Sequence, residues 1–272
     1  MKTRMTSGFL YRRLMNEAIY RIRMDQLSAA ERPVIGLIAD LHNNPPSKVI
    51  ASLEKHRPDL IALCGDLIYG VESDPGFLKM EESVNAMKLL ERCVKIAPTY
   101  FSLGNHEYVL KKEDFELIRS TGTVILDNAW TQFRPGILIG GLSSARMKGK
   151  SKIPDYDWLD DFEAQPGYRI LLSHHPEYWA LQEPFLKEHR IDLVLSGHAH
   201  GGQIRFRRKG RWQGLYCHNQ GLFPEYTSDV HEGPYGNLVI SRGLANTSQP
   251  LPRLFNEPEI VYIVPEGRNI EI

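Results

Sequence analysis

The sequence predicts an α/β fold of stacked sheets and helices, and two observations carry that expectation. From residue 33 onward, short β-rich apolar runs alternate with Gly or polar breaks and helical stretches, the pattern of strands separated by helices. From Gly201 to Ile263 the spacing shortens toward hairpins with Pro and Gly turns, so the strand pairing is expected to be mixed.

Each element has its own reason. Residues 1–24 carry Leu10, Leu14, Ala18 and Ile22 at helical spacing beside Arg12, Arg13, Arg21 and Arg23, which predicts a basic amphipathic helix. Two readings stand: it packs its apolar face on the protein body, or it lies on an anionic membrane surface. It sets off residues 1–32, packing on or preceding the domain, from a domain spanning residues 33–272. The runs Val34–Ala39, Leu60–Leu63, Thr99–Leu103, Ile137–Ile139, Tyr168–Leu172, Ile191–Leu195 and Asn237–Ile240 are short and bounded by turn residues, as buried strands are. Ser47–Arg57 predicts a helix with Ser47 as N-cap and Pro58 as stop, and Phe77–Lys95 a longer one ending before Pro98. The stretch from His56 to Asp66 echoes that from His189 to His198: a helix end, a strand, a glycine, then a metal-binding side chain. Either two similar halves face each other or the echo is coincidence.

Composition narrows the class. The 272 residues hold 33 Lys and Arg against 33 Asp and Glu, with 42% hydrophobic residues, which excludes collagen-like, coiled-coil and disordered chains. Zero net charge argues against a general nucleic-acid binder. No apolar stretch approaches the roughly 18 residues of a spanning helix, and Arg12, Arg13 and Glu17 interrupt what would be the apolar core of a secretory signal. Cys64, Cys93 and Cys217 are odd in number and far apart, which predicts a reducing compartment and no disulfide framework. The expected location is cytoplasmic, with or without contact at the inner membrane surface.

The chemistry lies at five predicted strand ends. They read Asp40-Leu41-His42, Gly65-Asp66, Gly104-Asn105-His106-Glu107, Ser173-His174-His175-Pro176 and Gly197-His198-Ala199-His200. All would emerge at the carboxyl edge, where α/β sheets build sites. A single Asp-x-His is commonplace, whereas five such clusters in order are hard to obtain by chance. Carboxylate, imidazole and amide oxygen without thiolate suit Mn, Fe or Zn. The glycines let the backbone turn sharply and come close to an ion. The sequence holds no Gly-x-Ser-x-Gly and no phosphate-cradling Gly-rich loop to suggest another chemistry.

These motifs, continued by Gly201-Gly202-Gln203, resemble the signature of calcineurin-like metallophosphoesterases over roughly residues 33–264. Ser241-Arg242-Gly243-Leu244 and Leu254-Phe255-Asn256 resemble a bacterial branch whose members are often membrane-associated. The resemblance implies a four-layer αββα sandwich of two mixed sheets flanked by helices. It implies two divalent ions, manganese favoured: one held by Asp40, His42 and His200, the other by Asn105, His174 and His198, with Asp66 bridging. Such a pair neutralises the anionic phosphate and activates water, so direct attack by a bridging hydroxide is expected. His106 is implied as the catalytic residue, donating a proton to the leaving oxygen or stabilising phosphoryl charge. His174 matches the motif better than His175, which is expected beside the ligands or toward substrate. Glu107 either supports His106 or serves as the acid of a helix first turn.

The implied substrate is a small phosphoester, either a phosphodiester or a monoester, with no obligate nucleic acid. A lipid-linked or nucleotide-sugar pyrophosphate at a membrane surface is the alternative. A non-catalytic metal-binding scaffold is the rival from another class; it predicts missing ligands or a replaced His106, and the sequence has neither. Ile204–Trp212 predicts a hairpin turning at Lys209-Gly210, its Arg205 and Arg207 either meeting an anionic group or forming a solvated edge. Ser143–Asp161 reads as a loop beside the site, ordinary or closing as a lid. His218 either recognises phosphate or is structural.

Overall fold

The structure is a computed structural model describing residues 15–70, 83–148, 153–245 and 251–268. Its strands are β1 (Asn16–Ile22), β2 (Ile35–Ile38), β3 (Leu60–Cys64), β4 (Thr99–Ser102), β5 (Val124–Leu126), β6 (Ala129–Arg134), β7 (Ile137–Leu142), β8 (Tyr168–Ser173), β9 (Leu193–Ser196), β10 (Arg205–Arg208), β11 (Arg211–Gly214), β12 (Tyr216–Cys217), β13 (Gly221–Leu222), β14 (Asp229–Glu232), β15 (Asn237–Ile240) and β16 (Glu259–Pro265). The helices are α1 (Ser47–His56), α2 (Ser83–Ile96), α3 (Lys112–Ser120), α4 (Leu159–Ala164) and α5 (Glu177–Ala180).

One six-stranded sheet has the order β1-β16-β2-β3-β4-β5 and the other β14-β15-β9-β8-β7-β6. Both are mixed. In the first, only β16 against β2 is antiparallel; in the second, the edge strands β14 and β6 run antiparallel to their neighbours. Side chains alternate faces along a strand, so apolar residues on both faces produce the continuous runs of the sequence. Leu37, Ala39, Leu60 and Ala62 meet Ile139, Ile170, Leu172 and Leu195 between the sheets. Ile38, Ile61 and Leu63 turn the other way, onto Val49 and Leu53 of α1 and Leu89 and Leu90 of α2. Leu138, Leu171 and Val194 likewise pack on α4 and α5 through Leu159, Phe162, Tyr178 and Trp179. The result is a four-layer αββα sandwich.

The sequence misjudged some local features. Residues 1–14 lie outside the described residues, but Asn16–Ile22 is a strand where a helix was predicted, pairing in parallel with all of β16. Ala18 and Ile22, four apart, share one face of a strand as well as of a helix, and both pack between the sheets. The sheet therefore draws on both sides of residue 33. Ser47 does not cap α1: Pro46 occupies that place, with no side-chain cap bond. Arg57 ends the helix in the left-handed region at φ 44°, its N–H bonded to Leu53 O, with Pro58 behind it. The second predicted helix is seen as α2, residues 77–82 lying outside the described residues. The echoed segments fall one in each sheet, as β3 and β9. Their histidines, His56 and His189, pair with Glu17 and Glu163. Among the described residues no helix is long and apolar enough to cross a membrane.

Candidate metal centre

The ends of β2 and β3 leave their strands zipped together. Asp40 N–H donates to Gly65 O, His42 N–H to Asp66 O and Asn43 N–H to Leu67 O. On the other side, Leu244 and Ala245 N–H donate to Ala39 O and Asp40 O. To turn so sharply, Asp40, His42, Asp66, His198 and His200 all adopt left-handed backbone, with φ between 45° and 65°. Asp, Asn and His enter that region more readily than other side-chain-bearing residues.

The glycines beside the ligands have a packing reason. A Cβ at Gly104 would stand 2.3 Å from Asp66 Oδ1, and one at Gly197 would stand 2.7 Å from Asp40 Oδ2. Their hydrogens are what let each loop lie against a candidate ligand delivered by another.

This packing brings the predicted side chains together. His200 Nε2 lies 3.3 Å from Asp40 Oδ1 and 3.4 Å from His42 Nε2. Asp66 Oδ2 lies 3.7 Å from His42 Nε2 and 3.1 Å from His174 Nε2. Asp40, His42 and His200 form one group able to hold an ion, and Asp66, His174 and His198 another. The Oδ1 of Asn105 is buried with no hydrogen-bond partner among the described residues, as expected of an oxygen waiting for a cation. His174 Nδ1 donates to Cys64 O at 2.6 Å, which aims Nε2 at the cluster.

Burial and charge set the protonation states. Burial lowers His42 to about 3 and holds His198 and His200 well below the imidazole range, so these rings are neutral donors. Burial alone would also lower His174, but Asp66 and Asp40 raise it to about 10. Burial would raise Asp66, yet His174 and His106 hold it well below the usual carboxylate range. Burial pushes Asp40 up to about 7. Two carboxylates, an orphaned amide oxygen and neutral imidazoles fit hard or borderline divalent cations.

His106 stands at the edge of this cluster. Its N–H donates to Asp66 Oδ1 at 2.8 Å, its Nδ1 donates to Gly70 O at 2.6 Å, and its Nε2 lies 3.9 Å from Asp66 Oδ2. Distance alone also groups it with His42 and Asp66. Tyr69, which sequence reasoning missed, stacks on it at 5.0 Å between ring centroids. Glu107 is fully buried and accepts the N–H groups of Gly104, Asp66 and Leu67, and burial beside Asp66 raises it to about 7. It fixes the loops after β3 and β4 to each other and has no partner role toward the His106 ring in these bonds.

Further residues border the site without having been predicted. Asn219 Nδ2 lies 3.0 Å from His198 Nε2, while the neighbouring His218 is exposed. Buried Glu177 sits below His175 and His198; burial would raise it, but His175 and His198 hold it at about 2. Neither residue belongs to a recognisable motif. The hairpin of β10 and β11 turns at Lys209 and Gly210, both at positive φ, as predicted. Arg205 is buried against Ser228, whereas Arg207, Arg208, Lys209 and Arg211 are exposed. The loop from Ser143 reaches the site through Ser144 Oγ, 2.8 Å from His175 Nε2.

The chain is similar to known proteins. YkoQ of Bacillus subtilis, an uncharacterized metallophosphoesterase, is 27% identical over 88% of this chain and 85% of its own length. An uncharacterized metallophosphoesterase of Aquifex aeolicus is 23% identical over 92% of this chain and 91% of its own. Among solved structures, a dimetal phosphatase from Danio rerio aligns at a TM-score of 0.45 and 11% identity, covering 78% of this chain and 88% of that one. The calcineurin-like phosphoesterase profile matches residues 33–202, a span containing every side chain of the two candidate ion groups. The chain belongs to the calcineurin-like phosphoesterase family and is a metal-dependent hydrolase of phosphoric esters.

Proposed function

We propose that the chain hydrolyses small phosphodiesters using two manganese ions. Asp40, His42 and His200 hold the first, Asn105, His174 and His198 the second, and Asp66 serves both. The observation that carries this reading is the place of Asp66, within 3.7 Å of His42 and 3.1 Å of His174. When bound, two divalent ions neutralise phosphoryl oxygens and lower the pKa of a water molecule.

The chain's own groups supply the rest. Neutral His42, His198 and His200 offer lone pairs with no proton to displace near neutrality. Glu107 keeps the loops bearing Asp66 and Asn105 in register. His106, anchored through Nδ1 to Gly70 O, presents Nε2 to the leaving oxygen and carries the proton it takes up. The test is hydrolysis of bis-p-nitrophenyl phosphate and p-nitrophenyl phosphate with Mn²⁺ and after chelation. Manganese-dependent cleavage with the diester preferred is expected. Preference for the monoester reassigns the substrate, and no cleavage with any divalent metal favours the scaffold reading.

One observation supports a lipid-linked pyrophosphate at a membrane surface as a second reading. The exposed basic residues of the hairpin stand with exposed Trp212, Leu222 and Phe223 in the segments that follow β9, the pairing of charge and aromatic surface that anionic bilayers attract. Co-sedimentation with anionic vesicles, absent with neutral ones, is its test.

A further inference from the structure

Beside the two ion groups lies a third polar cluster, His175, Glu177 and His198, which the proposed chemistry does not use. His198 is common to it and to the second ion group. A third ion here would have to share His198 with the second position, and one imidazole bound to two ions through its two nitrogens must lose both its protons. Support of His198 is the cheaper use of these groups.

The contacts describe such a support. The His175 ring lies 4.1 Å from that of His198 and 5.1 Å from that of His174, the two imidazoles of the second position. Its Nε2 is held by Ser144 Oγ at 2.8 Å, and its Nδ1 faces Glu177 Oε2 at 3.7 Å. The other oxygen of Glu177 accepts Gln220 Nε2 at 3.0 Å. Gln220 in turn clasps Tyr226, its Nε2 donating to Tyr226 O at 2.8 Å and its Oε1 accepting Tyr226 N–H at 3.0 Å. Glu177 thus touches both supports of the ligand: His175 directly, and Asn219 through the turn that carries Gln220. The rings of the first position keep different company, His42 lying 5.3 Å from His200 and 5.5 Å from Tyr69.

We propose that Glu177 and His175 are positioning residues that hold His198 and the 217–220 turn against the second ion position, so that they tune that ion's affinity and leave the first unchanged. This rests on the dinuclear reading above. Residues that orient ligands from behind typically contribute 10–100-fold in metal affinity.

The experiment is a Mn²⁺ titration of the full chain, followed by calorimetry and by electron paramagnetic resonance. Wild type is expected to bind two ions and show the spectrum of a coupled pair. Glu177→Ala is expected to weaken the second binding step about 10–100-fold with the first unmoved, giving an isolated-ion spectrum at concentrations that fill only one position. Glu177→Gln, which keeps an acceptor for Gln220, should recover part of the loss. If Glu177→Ala does not fold by circular dichroism, Gln220→Ala is used in its place and must shift the same step in the same direction. Equal weakening of both steps, an unchanged titration, or a third wild-type ion lost in the variant overturns the proposal. A wild-type chain that takes up a single ion overturns the dinuclear reading and this proposal with it.

Discussion

The two sheets equip the site differently. Strand ends of the first sheet deliver every oxygen donor of the proposed ion groups, Asp40, Asp66 and Asn105, together with His42 and His106. Strand ends of the second deliver only imidazoles, His174, His198 and His200. Among these residues negative charge thus comes only from the first half, and three of the four candidate imidazole ligands from the second. Neither half is a complete binding site, and the ion groups exist because the core between the sheets holds the two edges level. His174 ties the halves together, 2.6 Å from Cys64 O and 3.1 Å from Asp66.

Removing the shared charge should break this division most severely. Asp66→Asn keeps shape and removes the carboxylate, and kcat/KM is expected to fall about 10⁴-fold with metal content reduced. His106→Ala tests whether a first-sheet residue can act without binding an ion: turnover should drop about 10²–10³-fold with metal content unchanged. Loss of the metals in that variant would show His106 to be structural. Glu107→Gln leaves one backbone N–H facing an amide NH₂ in place of a carboxylate. A cost of about 2–3 kcal/mol, read from the urea midpoint of the metal-free chain, is expected.

The contact between halves has a pH signature. Because His174 is raised to about 10 in the metal-free protein, it is protonated at neutrality, and an ion must expel that proton. Affinity for one of the two ions should therefore rise about tenfold per pH unit between roughly pH 7 and 9, and the released proton should appear as buffer-dependent binding heat. A flat profile would mean the second sheet offers His174 already neutral. The smallest effect belongs to the rim. Arg207→Glu should raise KM for an anionic substrate about 2–5-fold at low salt and leave it unchanged at high salt.

What could be read in advance follows the range of the interactions. β2, β3, β4, β8 and β9 are buried on both faces, so their apolar runs announce them, and their ligands fall within a few residues of each run's end. β1 and β6 are half-exposed edges whose identity depends on β16 and β7, and for β1 that partner is more than 200 residues away. Asn219 reaches the site through a contact with a segment 21 residues away, whereas Tyr69 and Glu177 lie within three residues of Asp66 and His175 but outside the ligand motifs. Nothing local distinguishes them from other surface or helix-end polar residues. Ser47 shows the opposite error, a residue of the right type one place too late.

The left-handed backbone at five of the candidate ligand positions also limits how this centre could be re-engineered toward another cation. At positions 40, 42, 66, 198 and 200 the loop first selects residues that tolerate positive φ, and donor chemistry chooses among those. Exchanges within Asp, Asn and His, such as His200→Asp, should preserve the loop while changing ligand hardness. A β-branched replacement would instead spend roughly 1–2 kcal/mol on the backbone alone. The repertoire of alternative coordination spheres is therefore narrow, and a library confined to those three amino acids would sample most of it.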